Sequence, residues 1–264
     1  MAIEEYNNRF AGVKRIYGDA NVSVFNSSHV MVVGIGGVGS WTVEALSRSG
    51  VGHISLVDLD DICVSNTNRQ VHALNGNYGK MKAHVMKDRI RQINSDCEVS
   101  VYDMFYSERT SSLILDSTPD IVVDAIDSMA AKCHLIASCK ERNLPIVVCG
   151  GAGGRQDLTR IKTGDLAQAH GDKLISSVRS RLRSHYGFPK GGGKKVKKFK
   201  VPAVFSDEPM TLPSTCNVDE DISNAPRNLN CASGYGAVTH VTATFGLALA
   251  QLALEHLRDS QQAS

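Results

Sequence analysis

The sequence predicts an α/β fold: a doubly wound, mostly parallel sheet with helices on both faces, followed by a C-terminal extension with further strands and a basic loop. Three observations carry this. Apolar runs of strand length alternate with longer helical stretches between residues 30 and 150. The first run, Val30 to Val33, leads into a glycine turn, Gly34-Ile35-Gly36-Gly37-Val38-Gly39. The second run, Ile54 to Val57, ends in acid at Asp58. A strand, a G-x-G-x-x-G turn, a helix and a second strand closing on a carboxylate form a nucleotide-binding unit.

Residues 4–28 are polar with scattered aromatics, Tyr6, Phe10, Tyr17 and Phe25, and read as one or two helices. Arg9 and Arg15 read there as solvated surface charges. In the turn, Gly34 permits the tight bend, Gly36 lets backbone N–H groups approach a phosphate, and Gly39 lets the helix pack close to the strand. The helix runs from Ser40 to Ser49, with Gly50 as its C-terminal stop. A carboxylate at Asp58 suits a ribose hydroxyl, which NAD and ATP share. The turn therefore implies an adenine nucleotide and does not choose the chemistry.

Beyond Asp58 comes a polar loop, Asp60-Asp61 and then Ser65-Asn66-Thr67-Asn68-Arg69. A doubly wound fold puts such a loop at the rim of its ligand crevice. The planar donors of Arg69 match phosphate oxygens. Lys80 and Lys82 open a helix of apolar period Met86, Ile90, Ile93, and Lys82 reads either as a surface lysine or as one at the helix start aimed back into the crevice. Val99 to Tyr102 alternates as a third strand. Ser107 to Asp116 reads as a helix stopped by Pro119, and Ile121 to Ile126 as a fourth buried strand. Asp127 then stands where a ligand or Mg2+ would meet the strand end, or where an N-cap would start the helix Met129 to Glu141. Ser128 is the better cap. Pro145 to Val148 is a fifth strand, running into Cys149-Gly150-Gly151-Ala152-Gly153-Gly154.

The remainder differs in character. Lys173 to Ser184 is a basic helix carrying Arg179, Arg181 and Arg183. A loop rich in glycine and lysine follows, with Lys194, Lys195, Lys197, Lys198 and Lys200. No acid occurs from Lys173 to Ser206. Such a run is either a solvated loop or a polyanion contact. Val201 to Phe205 reads as a strand and 207–230 as an irregular loop. Cys231-Ala232-Ser233-Gly234-Tyr235-Gly236 opens a final apolar helix.

Composition bounds the rest. Of 264 residues, 42% are hydrophobic and 21% charged, as in a soluble globular protein. The net charge of +2 requires any attraction for nucleic acid to be local. The seven cysteines are odd in number and contain no C-x-x-C pair, so reduced thiols are expected and structural zinc has no support. MAIEEYNNRF lacks the features of a secretory signal, so a cytoplasmic location is expected. The apolar segment Val241 to Leu254 reads as a buried helix rather than a membrane association.

Taken together, G-x-G-G-x-G, D-x-D-D, S-N-x-N-R-Q, the lysine beyond it and D-A-I-D-S resemble the adenylating enzymes related to ubiquitin activation, of ThiF/MoeB type. Within that Rossmann-like superfamily the chain is similar to the tRNA threonylcarbamoyladenosine dehydratases. Arg9-Phe10 with Arg15 to Gly18, Asn66 to Leu74, Gly150 to Gly154, and Cys231 to Gly236 with Val241 to Gly246 carry that likeness. The resemblance implies one adenylating domain, residues 1–154 binding the nucleotide and 155–264 meeting the substrate tRNA.

The implied reaction adenylates the carboxylate of threonylcarbamoyladenosine beside the anticodon with ATP and Mg2+. Ring closure then expels AMP, with net loss of one water. By the same resemblance Gly36 and Gly37 approach the nucleotide, Asp58 holds the ribose, and Asn66, Arg69 and Lys82 bind the phosphates, with Gly34, Gly39, Asp60 and Asn68 counted in the same cofactor site. Asp127, beside Ser128, contacts the metal and the reacting region. Arg9 matches an arginine that reaches the triphosphate of a neighbouring subunit, which implies a homodimer. Cys231 is either a buried small residue or a thiolate that accepts sulfur from a cysteine desulfurase system. The expected partner is tRNA, contacted by the basic stretch, and not DNA. Three rival readings remain: activation of a ubiquitin-like sulfur carrier, an NAD oxidoreductase, and a non-catalytic tRNA-binding module.

Overall fold

The computed structural model describes residues 3–191, 196–211 and 236–262. Three short helices lead in, α1 (Ile3–Arg9), α2 (Ala11–Tyr17) and α3 (Asp19–Ser27), where one or two were expected. Gly18, at φ +81°, breaks the second from the third. The alternating region then gives β1 (His29–Val33), α4 (Gly39–Arg48), β2 (His53–Val57), α5 (Lys82–Ile93), β3 (Glu98–Tyr102), α6 (Ser111–Leu115), β4 (Ile121–Asp124), α7 (Met129–Glu141) and β5 (Ile146–Cys149). Next come β6 (Ile161–Asp165), α8 (Lys173–His185), β7 (Pro202–Ser206) and α9 (Thr239–Gln262).

The seven strands form one sheet in the order β3-β2-β1-β4-β5-β7-β6. All neighbours are parallel except β6 and β7. The order reverses direction between β1 and β4, which opens a crevice at the carboxyl ends of those strands. β6 was not foreseen in the sequence. Its residues Ile-Lys-Thr-Gly-Asp form an edge strand with little burial, so it lacks an apolar run. β7 pairs with β5, so the sheet continues across residue 154.

Two apolar layers sandwich the sheet. One joins α3, α4, α5 and α9 through residues such as Phe25, Leu46, Met86 and Phe245. The other joins α6, α7 and α8 through Ile114, Ile136 and Val178. The apolar C-terminal segment is a core helix, as expected. Val241, Phe245, Leu249, Ala253 and Leu257 form its buried stripe. Among the described residues no helix is long and apolar enough to cross a membrane. Cys63, Cys97, Cys133, Cys139 and Cys149 are free thiols.

Two buried polar features bear on stability. The carboxylate of Asp124, the last residue of β4, accepts a hydrogen bond from the Lys132 ammonium at 2.8 Å, with both side chains 0% exposed. Burial raises the Asp124 carboxyl, and Lys132 opposes that rise. Replacing one member leaves the other charge buried and alone. Lys132→Met is expected to cost about 3–5 kcal/mol in urea unfolding, with Asp124→Leu added to it recovering most of the loss. Additive effects of the two substitutions would show that the pair is not coupled.

The second feature is His72, which is 1% exposed and has no hydrogen-bond partner for either ring nitrogen. Burial first, then Lys82 and Arg89, pushes its imidazole down from 6.5 to about 4. Between those values the unfolded ring binds more protons than the folded one. The stability tied to neutral His72 is therefore complete above about pH 6.5 and is lost as pH falls towards 4. The amount is up to roughly 3 kcal/mol. Urea midpoints of a His72→Leu variant are expected to fall less steeply across this window than those of the parent. Parallel curves would remove His72 as the source.

Candidate active site

The crevice floor is the glycine turn between β1 and α4. Gly34 adopts φ +90°, and a Cβ there would press on the Ala125 carbonyl oxygen at 2.9 Å. A Cβ on Gly39 would stand 1.8 Å from the Gly34 oxygen. These two glycines close the bend and seat the helix, as the sequence suggested. Gly36 faces open space within 4 Å, leaving its backbone accessible to a ligand. No side-chain hydrogen bond caps α4. Its first N–H groups and the positive end of its dipole thus suit an anion.

Around this floor stand the residues of the polar loop. Asp58 is 7% exposed. Its carboxylate accepts from Ile35 N–H at 2.6 Å and Asp60 N–H at 2.8 Å. Burial raises its carboxyl, and Lys82 pulls it back. Lys82 is the first residue of α5, and its ammonium donates to Asp60 at 2.7 Å. Its side chain is only 8% exposed, so its position is set by packing before any ligand arrives.

Arg69 bridges the loop and the turn. The Arg69 Cγ lies 3.2 Å from where a Cβ of Gly37 would be. Its guanidinium donates to the Ser65 carbonyl at 2.7 Å and to the Asn68 side chain at 2.8 Å. Trp41, the only tryptophan, donates its indole N–H to the Arg69 carbonyl at 3.0 Å. Asn68 donates to the Ala237 carbonyl at 2.6 Å, and the Thr239 hydroxyl donates to the Asn68 carbonyl. The start of α9 thereby ties down the loop. Asn66 is buried, and its side-chain oxygen accepts from Cys63 N–H at 3.0 Å.

Across the switch point, Ala125 packs on the glycine turn and Asp127 follows it, exposed. Ser128 takes the N-cap position of α7, but its side chain makes no cap hydrogen bond. The lysine that does matter here, Lys132, was missed in the sequence. A lysine one turn into a helix after an acid-ended strand was the available signal. The glycine run after β5 is pinned from the side. Asp172 accepts from Gly151 N–H at 3.0 Å and from the buried Arg155 at 3.0 Å.

The crevice thus gathers Gly34, Gly36, Gly37, Gly39, Asp58, Asp60, Asn66, Asn68, Arg69 and Lys82, with Asp127 across β4. Arg9 does not join it. Arg9 donates to the Ile93 carbonyl at 2.9 Å, at the opposite end of α5 from Lys82. Eleven helical residues separate those ends by roughly 16 Å. There Arg9 lines a cavity of about 440 Å³ with Arg48 and Arg89. On α8, Arg179, Arg181 and Arg183 are half-buried, and two of them donate inward. Arg179 bonds the Ala169 carbonyl and Arg183 the Pro189 carbonyl. They do not form one exposed basic face. Lys197, Lys198 and Lys200 are exposed. Lys194, Lys195 and Cys231 lie outside the described residues.

The fit to a metal is specific in kind. Among the described residues no three His, Cys, Asp or Glu side chains group as a metal cage. A single exposed carboxylate such as Asp127 is of the kind that suits Mg2+, which keeps most of its waters and takes few protein ligands.

Comparison with known proteins agrees with this geometry. The ThiF family profile matches residues 6–262. The tRNA threonylcarbamoyladenosine dehydratase of Escherichia coli is 44% identical over 257 residues, covering 96% of this chain and 95% of that protein. Crystal structures of the E. coli enzyme, one in complex with ATP and one with AMP, each superpose with a TM-score of 0.88 at 41% identity, covering 100% of this chain and 99% of theirs. The E. coli adenylyltransferase of the sulfur carrier ThiS is more distant, 29% identical over 128 residues. The chain belongs to the ThiF family and, within it, to the tRNA threonylcarbamoyladenosine dehydratases.

Proposed function

We propose that this protein uses ATP to dehydrate threonylcarbamoyladenosine beside the anticodon of tRNA. The observation that carries the reading is Arg69 lying over Gly37, with Lys82 held at the crevice by Asp60. A dinucleotide site for hydride transfer has no need of Arg69 over its glycine turn together with Lys82 at Asp60. A site that expels pyrophosphate does. The sulfur-carrier reading draws only on the more distant likeness.

The reaction follows from that placement. A carboxylate oxygen of the modified nucleoside attacks the α-phosphorus of ATP, and the bond to the bridging oxygen of pyrophosphate breaks. Charge grows on that bridging oxygen. Arg69, Lys82 and the α4 N-terminus meet it in fixed positions, so they stabilise the transition state more than the ground state. Asp127 would hold Mg2+, which supplies further neutralisation of the phosphates. A nucleophile within the same modification then attacks the acyl carbon and closes a ring. AMP departs carrying the former carboxylate oxygen, and the nucleoside has lost one water. The intramolecular attack benefits from a high effective concentration. No protein nucleophile is required.

The decisive experiment incubates the protein with Mg2+, ATP and tRNA carrying the modification, followed by nucleoside mass analysis. The expected result is loss of one water from the modified adenosine with AMP formed in equal amount. Unchanged nucleoside mass with no AMP would end this reading, and AMP formation driven by a carrier protein instead of tRNA would favour the rival. Arg69→Ala and Asp127→Ala are each expected to lower kcat about a hundredfold, roughly 3 kcal/mol, with unchanged circular dichroism. Near-normal turnover in either would remove the assigned role.

Arg9 is proposed to act on the crevice of a second subunit, because its own crevice lies beyond its reach. Arg9→Ala and Arg69→Ala subunits, each inactive alone, are then expected to recover about a quarter of wild-type turnover when mixed and re-associated, since half the dimers are mixed and each holds one complete site. No recovery from a verified mixed dimer would place the role of Arg9 elsewhere.

A further inference from the structure

Lys197, Lys198 and Lys200, which lead into β7, stand at the opposite edge of the sheet from the crevice. β7 runs parallel to β5, with Ala203 beside Val148. Its first residue, Pro202, pairs with Asp165, the last residue of antiparallel β6. The segment leading into β7 therefore lies at the amino-terminal edge of the parallel strands. Gly34, Asp58 and Asp127 all follow carboxyl-terminal ends. Five residues of strand put roughly 16 Å between the two edges.

The neck of this segment is built, not loose. Phe188 and Phe199 are both buried and meet edge to face at 4.9 Å. The Lys140 ammonium sits 3.9 Å from the Phe188 ring centre, and the Arg183 guanidinium 5.3 Å from that of Phe199. Arg183 also donates to the Pro189 carbonyl at 3.1 Å, which ties the outgoing strand of the loop to its own helix. On the return side, the Asp165 carboxylate accepts from Phe199 N–H at 2.9 Å and Lys200 N–H at 2.8 Å. Asp165 also accepts from Ala167 N–H at 2.9 Å, so the one acid at the neck is engaged by backbone donors. Lys190, Lys197, Lys198 and Lys200 project around this neck into solvent. No acid lies between Lys173 and Ser206 to neutralise them.

We infer that this clamped basic edge is a second RNA contact, one that grips phosphates remote from the nucleoside undergoing reaction. The identity of the polyanion rests on the tRNA reading above. The position of the contact does not. Structured RNA is bound through phosphates and 2′-hydroxyls spread along successive grooves, so a substrate whose anticodon enters the crevice presents further phosphates down the flank of the sheet. Lysines on a neck already ordered by Phe188, Phe199, Arg183 and Asp165 lose less freedom on binding than lysines on a free loop. The contact reads charge and carries no base specificity.

The test uses the whole protein with Lys197→Ala and Lys198→Ala combined. Both residues are exposed, so the fold has no stake in them. Binding of full-length tRNA is measured against salt, without ATP. The slope of log K against log salt is expected to shrink by about 2, one for each lysine removed. Turnover is then compared on full-length tRNA and on a trinucleotide centred on the modified adenosine. The loss in kcat/KM is expected to be about tenfold larger for the full-length tRNA, because a trinucleotide seated in the crevice is too short to reach across the roughly 16 Å to the other edge. An unchanged salt slope would overturn the contact. Equal losses on both substrates would place these lysines at the crevice instead and overturn the remote position. Because the salt slope needs no catalysis, it stands even if the dehydration reading fails.

Discussion

The closeness of the glycine turn to its surroundings governs this protein. With the Gly34 oxygen 1.8 Å from where a Gly39 Cβ would stand, α4 sits against β1 at a distance no side chain permits. Ala125 presses on the same turn from β4. On the other side of α4, Gly246 lets α9 approach so closely that a Cβ would meet the Val38 oxygen at 2.5 Å, and the Thr42 hydroxyl donates to the Gly246 carbonyl at 3.0 Å. Three elements from distant parts of the chain thus fix one backbone bend. The open face at Gly36 is what remains for a ligand.

The cations at that face are positioned by the same packing. Arg69 is held by two acceptors on its own loop and by the indole of Trp41 behind it. Lys82 is buried along its stem and paired with Asp60. On the function proposed above, the crevice presents fixed positive charge to the departing phosphates, and little reorganisation is needed at the moment of reaction. The Asp60 partner imposes a cost, since a phosphate must share the ammonium with it. In return the buried lysine side chain has a partner that fixes its place when the crevice is empty.

Much of this was legible from residue order. The strand runs, the glycine spacing and the acid at Asp58 specify a doubly wound nucleotide fold, because periodicity and glycine geometry act locally. Arg69 stood out through its motif and Lys82 as the lysine beyond it, and their part in the reaction is the one proposed above. Several features were not. β6 is a polar edge strand, and its pairing with β7 rather than its composition makes it a strand. The Asp124–Lys132 pair looked like an acid at a strand end and an ordinary helix lysine, since only the packing of α7 on β4 buries both. The arginines of α8 read as candidates for tRNA contact, whereas the fold engages Arg179 and Arg183 with the Ala169 and Pro189 carbonyls.

By itself the sequence determined the alternating strands and helices of the nucleotide-binding half and, through its motifs, the family. Local spacing and residue type suffice for those. Only the tertiary structure decided where the charges stand relative to one another. Arg9 lies at the far end of α5 from Lys82, and the lysines that lead into β7 lie at the far edge of the sheet from the glycine turn. Both facts depend on strand order and direction. Those are set by long-range burial of the sheet, and no stretch of neighbouring residues encodes them.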